Sequence, residues 1–390
     1  MPSKSKQTLT IVYVSNTRLP TEKAHGLALA KLSEAFADVG LSVDIVAPLL
    51  WRKRGADYFD YYRVKRNVRL TFLPTIDLIP LHVVRRFAFV LQMLAFSLAA
   101  YLYCKFHYRG RSDVVFFSHD YIPLYFLSFL PQPIFYDIHH FPGTNFMYER
   151  VLSKSRIVAV QTKWKIQALS KQFRIEPHRV IYWPNGTDVE AFARTETVRE
   201  ARRALGLPEE GRFIVYTGQL FQWKGVQTVI RALEFLPVDV HLYLVGGAAE
   251  DVERIKREEP CAYDPRLHFI ASQPHETMPL WLRAADVLVL PNTATQKVSR
   301  WYTSPMKLFE YMASGRPMVA SDIPSIREVV SEADAFFATP DDPNSFAAQI
   351  EQALSNSTEG ERRAVHAQEA VRQFSWRERA LRLSDHFKTL

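Results

Sequence analysis

The chain has 390 residues, 47% of them hydrophobic and 13% aromatic, which excludes a disordered polypeptide and at ordinary domain sizes favours two domains over one. Its two cysteines, Cys104 and Cys261, form no CxxC pattern, which argues against a disulfide framework or a cysteine-based zinc site and fits a reducing cytoplasm. The net charge of +8 is uneven: residues 1–185 hold 25 Lys/Arg against 12 Asp/Glu, so the first half calls for an acidic partner or surface.

The N-terminal stretch MPSKSKQTLTIVYV carries an apolar run too short for a signal-peptide core, so secretion is not expected. From there the first half supplies short β-rich runs, TLTIVYVSN, VDIVAP, VRLTFLPT, DVVFFSH, PIFYDIH and RIVAVQT, several separated by helical stretches such as GLALAKLSEAFADVG. That alternation predicts a parallel α/β sheet. Basic groups at Arg52–Arg54, Arg63–Arg69 and Arg85–Arg86 are scattered and belong to no nucleic-acid motif. Anionic headgroups or phosphorylated substrates suit them, and no nucleic-acid partner is expected.

Residues 87–104, FAFVLQMLAFSLAAYLYC, are uncharged and about as long as a minimal membrane span. Gln92 and Ser97 interrupt the run, Arg85 and Arg86 precede it and no second span follows, so it reads as a buried or membrane-resting helix. After PNGTD (184–188) a second alternation begins with FIVYTG, VHLYLVGG, LHFIAS, DVLVLPN and PMVASD. Two doubly wound α/β domains are predicted, 1–185 and 186–375. Ligands of such sheets sit beyond the carboxyl ends of the strands, in loops that here hold Gly218, Gln219, Lys224, Gly246, Gly247 and Asn292.

Two of these segments suit a phosphate. In YTGQLFQWKGVQTVIRAL a strand leads through a glycine-containing loop to Lys224 and Gly225, where an ammonium and bare backbone can approach one anion. In SPMKLFEYMASGRPMVASD a helix of about ten residues is predicted, with Ser304 as cap, Pro305 at its first position, and Gly315 and Pro317 closing it. Its N-terminus favours a phosphate or diphosphate, Lys307 adds a full charge, and Glu310 can accept hydrogen bonds from two adjacent ribose hydroxyls. The competing reading is an exposed Lys307–Glu310 ion pair worth about 0.2–0.5 kcal/mol.

In order and spacing, YTGQLFQWKG, SPMKLFEYMASGRPMVASD, DVLVLPN and PNGTD closely resemble the retaining glycosyltransferases of family 4, which have the GT-B fold: two Rossmann-like doubly wound domains facing a central cleft. The resemblance runs over nearly the whole chain, through FYDIHHFP and a closing SWRERALRL similar to the helical tail (here 376–390) that crosses back to the first domain. It implies that Glu310 holds the donor ribose and Lys224 the diphosphate, with Ser304, Pro305, Lys307 and Leu308 beside them, and that His139 faces the transferred sugar. Glu22, Lys23, His25 and Gly26 fall on the acceptor side. The family's first glutamate is Tyr302 here, and its diphosphate-pairing arginine is Gln219.

The implied reaction moves a sugar from a nucleoside-diphosphate sugar to a hydroxyl of a glycan or lipid-linked acceptor, with retention, in polysaccharide or glycolipid synthesis. No cofactor and no metal are expected, because Lys224, Lys307 and the helix N-terminus supply the charge. The chain is expected to be cytoplasmic, at most resting on the inner face of an anionic membrane. A sugar-nucleotide epimerase of the same architecture is the competing enzyme class. A nicotinamide-binding Rossmann protein is disfavoured, because VSNTRLPTEKAHG stands where G-x-G-x-x-G would follow the first strand.

Overall fold

A computed structural model describes residues 8–50, 57–76, 85–141 and 143–388, the side chains of 85–87 and 388 excepted. Arg52–Arg54 and the side chains of Arg85 and Arg86 therefore lie outside the described residues. The chain forms two compact units, one of residues up to Trp183 together with those from Trp376 onward, the other Pro184–Ser375. Asn185 belongs to the second because its backbone N–H donates to Ser304 Oγ (3.0 Å) and its side-chain amide to the Ser304 carbonyl (2.6 Å).

The first unit is built on a parallel sheet of β1 (Thr10–Val14), β2 (Ser42–Leu49), β3 (Arg69–Pro74), β4 (Val114–Ser118), β5 (Ile134–Ile138), β6 (Ser155–Val160) and β7 (Val180–Tyr182). Its order is β3-β2-β1-β4-β5-β6-β7. The second unit has β8 (Arg212–Thr217), β9 (Val240–Val245), β10 (Leu267–Ile270), β11 (Val287–Leu290), β12 (Met318–Ser321) and β13 (Phe336–Ala338), also parallel, in the order β10-β9-β8-β11-β12-β13. The predicted runs become β1–β6 and β8–β12. The unpredicted β7 and β13 are three residues long, each at one edge of its sheet, and too short to leave a pattern.

Side chains alternate across a strand, so a run that is apolar throughout must be covered on both faces. Phe213 and Val215 of β8 pack into one core of the second unit, Ile214 and Tyr216 into the other. In the first unit the helix Arg85–His107 buries a stripe at four-residue spacing, Ala88, Gln92, Phe96, Ala100 and Cys104. Phe96, Ala100 and Cys104 join the core that lines β1, β4 and β5. The opposite stripe, Val90, Leu94, Leu98, Leu102 and Phe106, is exposed, Phe106 to 71%.

The C-terminal helix Trp376–Lys388 closes the first unit by packing on the helix Ala24–Asp38. Buried Phe387 stands 6.3 Å from Phe36 and 5.2 Å from Phe135, centroid to centroid. Deleting a ring from such a position costs about 3–5 kcal/mol. Phe387→Ala is therefore expected to bring loss of hydrogen-exchange protection at β1 and β5 to lower urea, while β8 and β9 amides keep their wild-type protection.

Candidate functional site

In the second unit the loop after β8 meets Lys307 of the helix Met306–Ala313, and the end of β9 packs against that loop. Gly218, just past β8, has φ of 114°, and a Cβ there would stand 3.0 Å from Lys307 Nζ, so a side chain would collide with the ammonium. Gly246 lies beside it at the end of β9, its added Cβ only 2.9 Å from the Gly218 carbonyl. Lys224 ends the short turn Gln222–Lys224, and Gly225 opens the next helix. Gln219 is half-buried, and its carbonyl accepts from the Tyr216 hydroxyl (2.7 Å).

Lys307 is 8% exposed, and among the described residues its Nζ has no hydrogen-bond partner; it sits 3.5 Å from the centroid of the Tyr216 ring. Burial, and then the charge of Lys224, push its ammonium well below the usual range, with Glu310 opposing the shift. Half-buried Lys224 lies 3.7 Å over the Trp223 ring, and burial takes it down to about 7. Cation–π contact compensates only part of such desolvation. Two mutually repelling ammoniums beside the unpaired N–H groups of a helix start make a site that an anion would complete.

The helix itself differs from the prediction at its start. Pro305 occupies the cap position and no side chain caps the helix, because the Ser304 hydroxyl already accepts from Asn185. Leu308 is fully buried in the core and its N–H donates to the Pro305 carbonyl (3.0 Å), so only the N–H groups of Met306 and Lys307 are left to face a ligand. Glu310 is 9% exposed, which rules out the solvent-exposed ion pair. Its carboxylate lies 3.4 Å from Nε2 of His275, in the loop that follows β10, at the carboxyl end of the sheet where ligands of such folds sit. Tyr302 is half-buried at the end of the turn Val298–Tyr302, and Asn292 is wholly buried.

In the first unit the ends of β1, β4 and β5 gather His25, His119, His139 and His140. His139 follows β5, 28% of its side chain exposed, with Nε2 2.9 Å from Asp137 Oδ2 and its ring 5.5 Å from that of His119. His119 is held by Tyr13 (3.2 Å) and Ser15 (3.3 Å), and the neighbouring Asp120 accepts from the Asn16 N–H (2.8 Å). Burial lowers the imidazoles of His25, His119 and His140; neighbouring positive charge adds to the shift at His25 and His140, whereas Asp120 opposes it at His119. His25 stands 6.4 Å from His119, Glu22 and Lys23 are exposed, and Gly26 is packed where a Cβ would lie 2.4 Å from the Tyr62 hydroxyl. His119, Asp120 and Asp137 were legible as polar residues closing apolar strands, in FFSHD and FYDIH.

Residues 211–356 match the family model for glycosyl transferases group 1. The chain is 28% identical over 247 residues to a D-inositol 3-phosphate glycosyltransferase of Xylanimonas cellulosilytica, a match covering 61% of this chain and 58% of the relative. Among solved structures it is similar to sucrose-phosphate synthase from Thermosynechococcus elongatus (TM-score 0.79, 19% identity, 98% of each chain). It is also similar to Anabaena HepE in complex with UDP (TM-score 0.74, 15% identity, 98% of this chain and 100% of that one). The chain has the GT-B fold and resembles the glycosyltransferases of family 4. Both parallel-sheet units belong to that fold, and the matched model covers the unit that holds Lys224, Lys307 and Glu310.

The two lysines of this family 4-like protein fix the sign of a pH effect. A lysine lowered in the folded state leaves the unfolded chain holding more protons between about pH 7 and 10.5, so its contribution to stability rises with pH across that window. A bound anion restores the charged form and takes up protons. Inorganic pyrophosphate is expected to raise Tm most at or below pH 7 and progressively less toward pH 10, although the anion itself gains charge. Lys307→Met is expected to abolish that increment and, by removing an unpaired buried charge, to stabilise the unliganded protein by about 1 kcal/mol or more; thermal scans with and without pyrophosphate measure both effects.

Proposed function

We propose that the protein transfers a sugar from a nucleoside-diphosphate sugar to an acceptor hydroxyl with retention of configuration. The observation that carries the reading is the Lys307 ammonium, buried without a hydrogen-bond acceptor beside Gly218, within the field of Lys224 and at a helix N-terminus. A diphosphate supplies the missing negative charge. As the leaving group departs its charge grows, and a preorganised cationic site stabilises that charge more in the transition state than in the ground state. The compensating charge in this reading comes from the protein's own groups, and Glu310 accepts hydrogen bonds from the donor ribose. HepE, similar to this chain in fold, is in complex with UDP, which supports a nucleotide ligand here.

Retention by double displacement needs a carboxylate nucleophile at the anomeric carbon, and Glu310 is assigned to ribose. Same-face attack is the reading that remains: the departing phosphate oxygen takes the acceptor proton, and His139 orients the sugar. A relative named phosphatidyl-myo-inositol mannosyltransferase (Mycolicibacterium smegmatis, 26% identical over 234 residues) and the exposed stripe Val90–Phe106 support an acceptor met at a membrane surface, in glycolipid or polysaccharide synthesis. The occupant proposed for that stripe is an anionic bilayer, complementary to the +13 charge of residues 1–185 and to exposed Lys105 and Arg109. The expected location is the cytoplasmic face of that membrane.

Under saturating donor, Glu310→Ala and Lys224→Ala are each expected to lower turnover at least a hundredfold with the fold intact; near-normal rates in either variant would remove the donor-site assignment. Leu98→Glu with Leu102→Glu is expected to abolish co-sedimentation with anionic vesicles at low salt. Equal sedimentation of the double variant would place any membrane contact elsewhere.

A further inference from the structure

Residues two apart on a strand share a face, so Asp137 and His139, in the sequence Asp-Ile-His, project the same way where β5 ends. Asp137 is 2% exposed, and a carboxylate that deep is retained only where hydrogen bonds and charges compensate its desolvation. Oδ2 lies 2.9 Å from His139 Nε2, and Oδ1 accepts from the Gln161 side-chain amide. The Gln161 carbonyl oxygen accepts from Lys165 Nζ at 2.6 Å, and the same ammonium donates to the backbone carbonyls of Ile138 (2.9 Å) and His139 (3.0 Å). Lys165 is 0% exposed on the helix Lys163–Phe173, and Gln161 directly follows β6.

One buried cation therefore pins the His139 backbone and, through Gln161, the carboxylate that holds its ring. Burial works against ionisation of Asp137, yet His139, Arg379 and His119 together keep the carboxyl below its ordinary value. Arg379 is buried against Trp183, 3.9 Å from the ring centroid. Among the described residues no hydrogen-bond partner is found for His139 Nδ1, the nitrogen on the ring's other side.

We propose that Asp137 is the positioning residue of His139: ionised and locked by Gln161 and Lys165, it holds the Nε2–H tautomer and so turns the Nδ1 lone pair toward substrate as an acceptor for a sugar hydroxyl. The ring meets substrate in the right orientation without having to reorganise during the reaction. This rests on the reading that His139 faces the transferred sugar.

The test is Asp137→Asn in the full chain, read by side-chain 15N shifts of histidine-labelled protein, with the His139 signals identified by their loss in His139→Gln. Asparagine can still accept from Gln161 but presents an N–H to Nε2, so the tautomer is expected to invert from Nε2–H to Nδ1–H. With it, kcat should fall about 10- to 100-fold while donor KM stays within twofold. A wild-type His139 already in the Nδ1–H form, or a tautomer unchanged by the substitution, would overturn the proposal. Inversion with unaltered kcat would overturn the role of His139 in transfer and the positioning claim with it. Should Asp137→Asn not fold, Gln161→Leu is the second variant: it is expected to broaden or mix the His139 tautomer signals, and sharp wild-type shifts would refute the relay. Should no nucleotide sugar be turned over at all, the transfer reading fails, while the wild-type shifts still decide the Asp137–His139 pair.

Discussion

The second unit is organised around a charge that its fold leaves uncompensated. Lys307 is carried by a helix whose Leu308, Phe309, Tyr311 and Met312 are buried around it, so its ammonium cannot withdraw to solvent. Opposite it stand a glycine with no side chain to shield it, the ring of Tyr216 and a second lysine that repels it. Burying a charge without a partner is among the more destabilising arrangements a protein tolerates, and such arrangements concentrate where a ligand completes them. The strands, glycines and caps of this unit are the apparatus that holds the ammonium in place.

Lys165 and Asp137 of the first unit are treated in the opposite way. Lys165 is more deeply buried than Lys307, yet its donors meet three oxygens, and Asp137 is bonded through both carboxylate oxygens. A satisfied buried network rigidifies, whereas an unsatisfied one attracts a ligand. The two clusters thus differ in kind: a pair of lysines of which buried Lys307 lacks a hydrogen-bond partner among the described residues, and a satisfied polar network beside an imidazole.

The helix Arg85–His107 shows how one element can serve two environments. Its buried stripe includes Gln92, whose amide pairs with Asn16 in the loop after β1 (2.8 and 3.3 Å), while the outward stripe is apolar and exposed. The uniformly apolar composition that makes the segment look like a membrane span arises from two apolar faces, one packed in the core and the other exposed. Composition alone cannot separate them, because both contribute the same residue types.

Periodicity and strand-end chemistry were readable from the chain itself. Runs such as FIVYTG and IFYDI announce doubly covered parallel strands, the loops beyond them single out Lys224 and His139 as candidates, and the helix start at Ser304–Pro305 singles out Lys307 and Glu310. What the sequence could not decide was which polar atoms are already engaged. Ser304 looked like a helix cap but is taken by Asn185, 119 residues away; Leu308 sits in a ligand-side motif yet belongs to the core; His275 reaches Glu310 from 35 residues away; and β7 and β13 exist only because a neighbouring edge accepts them. Local pattern determines an element and its polarity, whereas hydrogen-bond satisfaction and burial depend on contacts distant in sequence, which only the folded chain brings together.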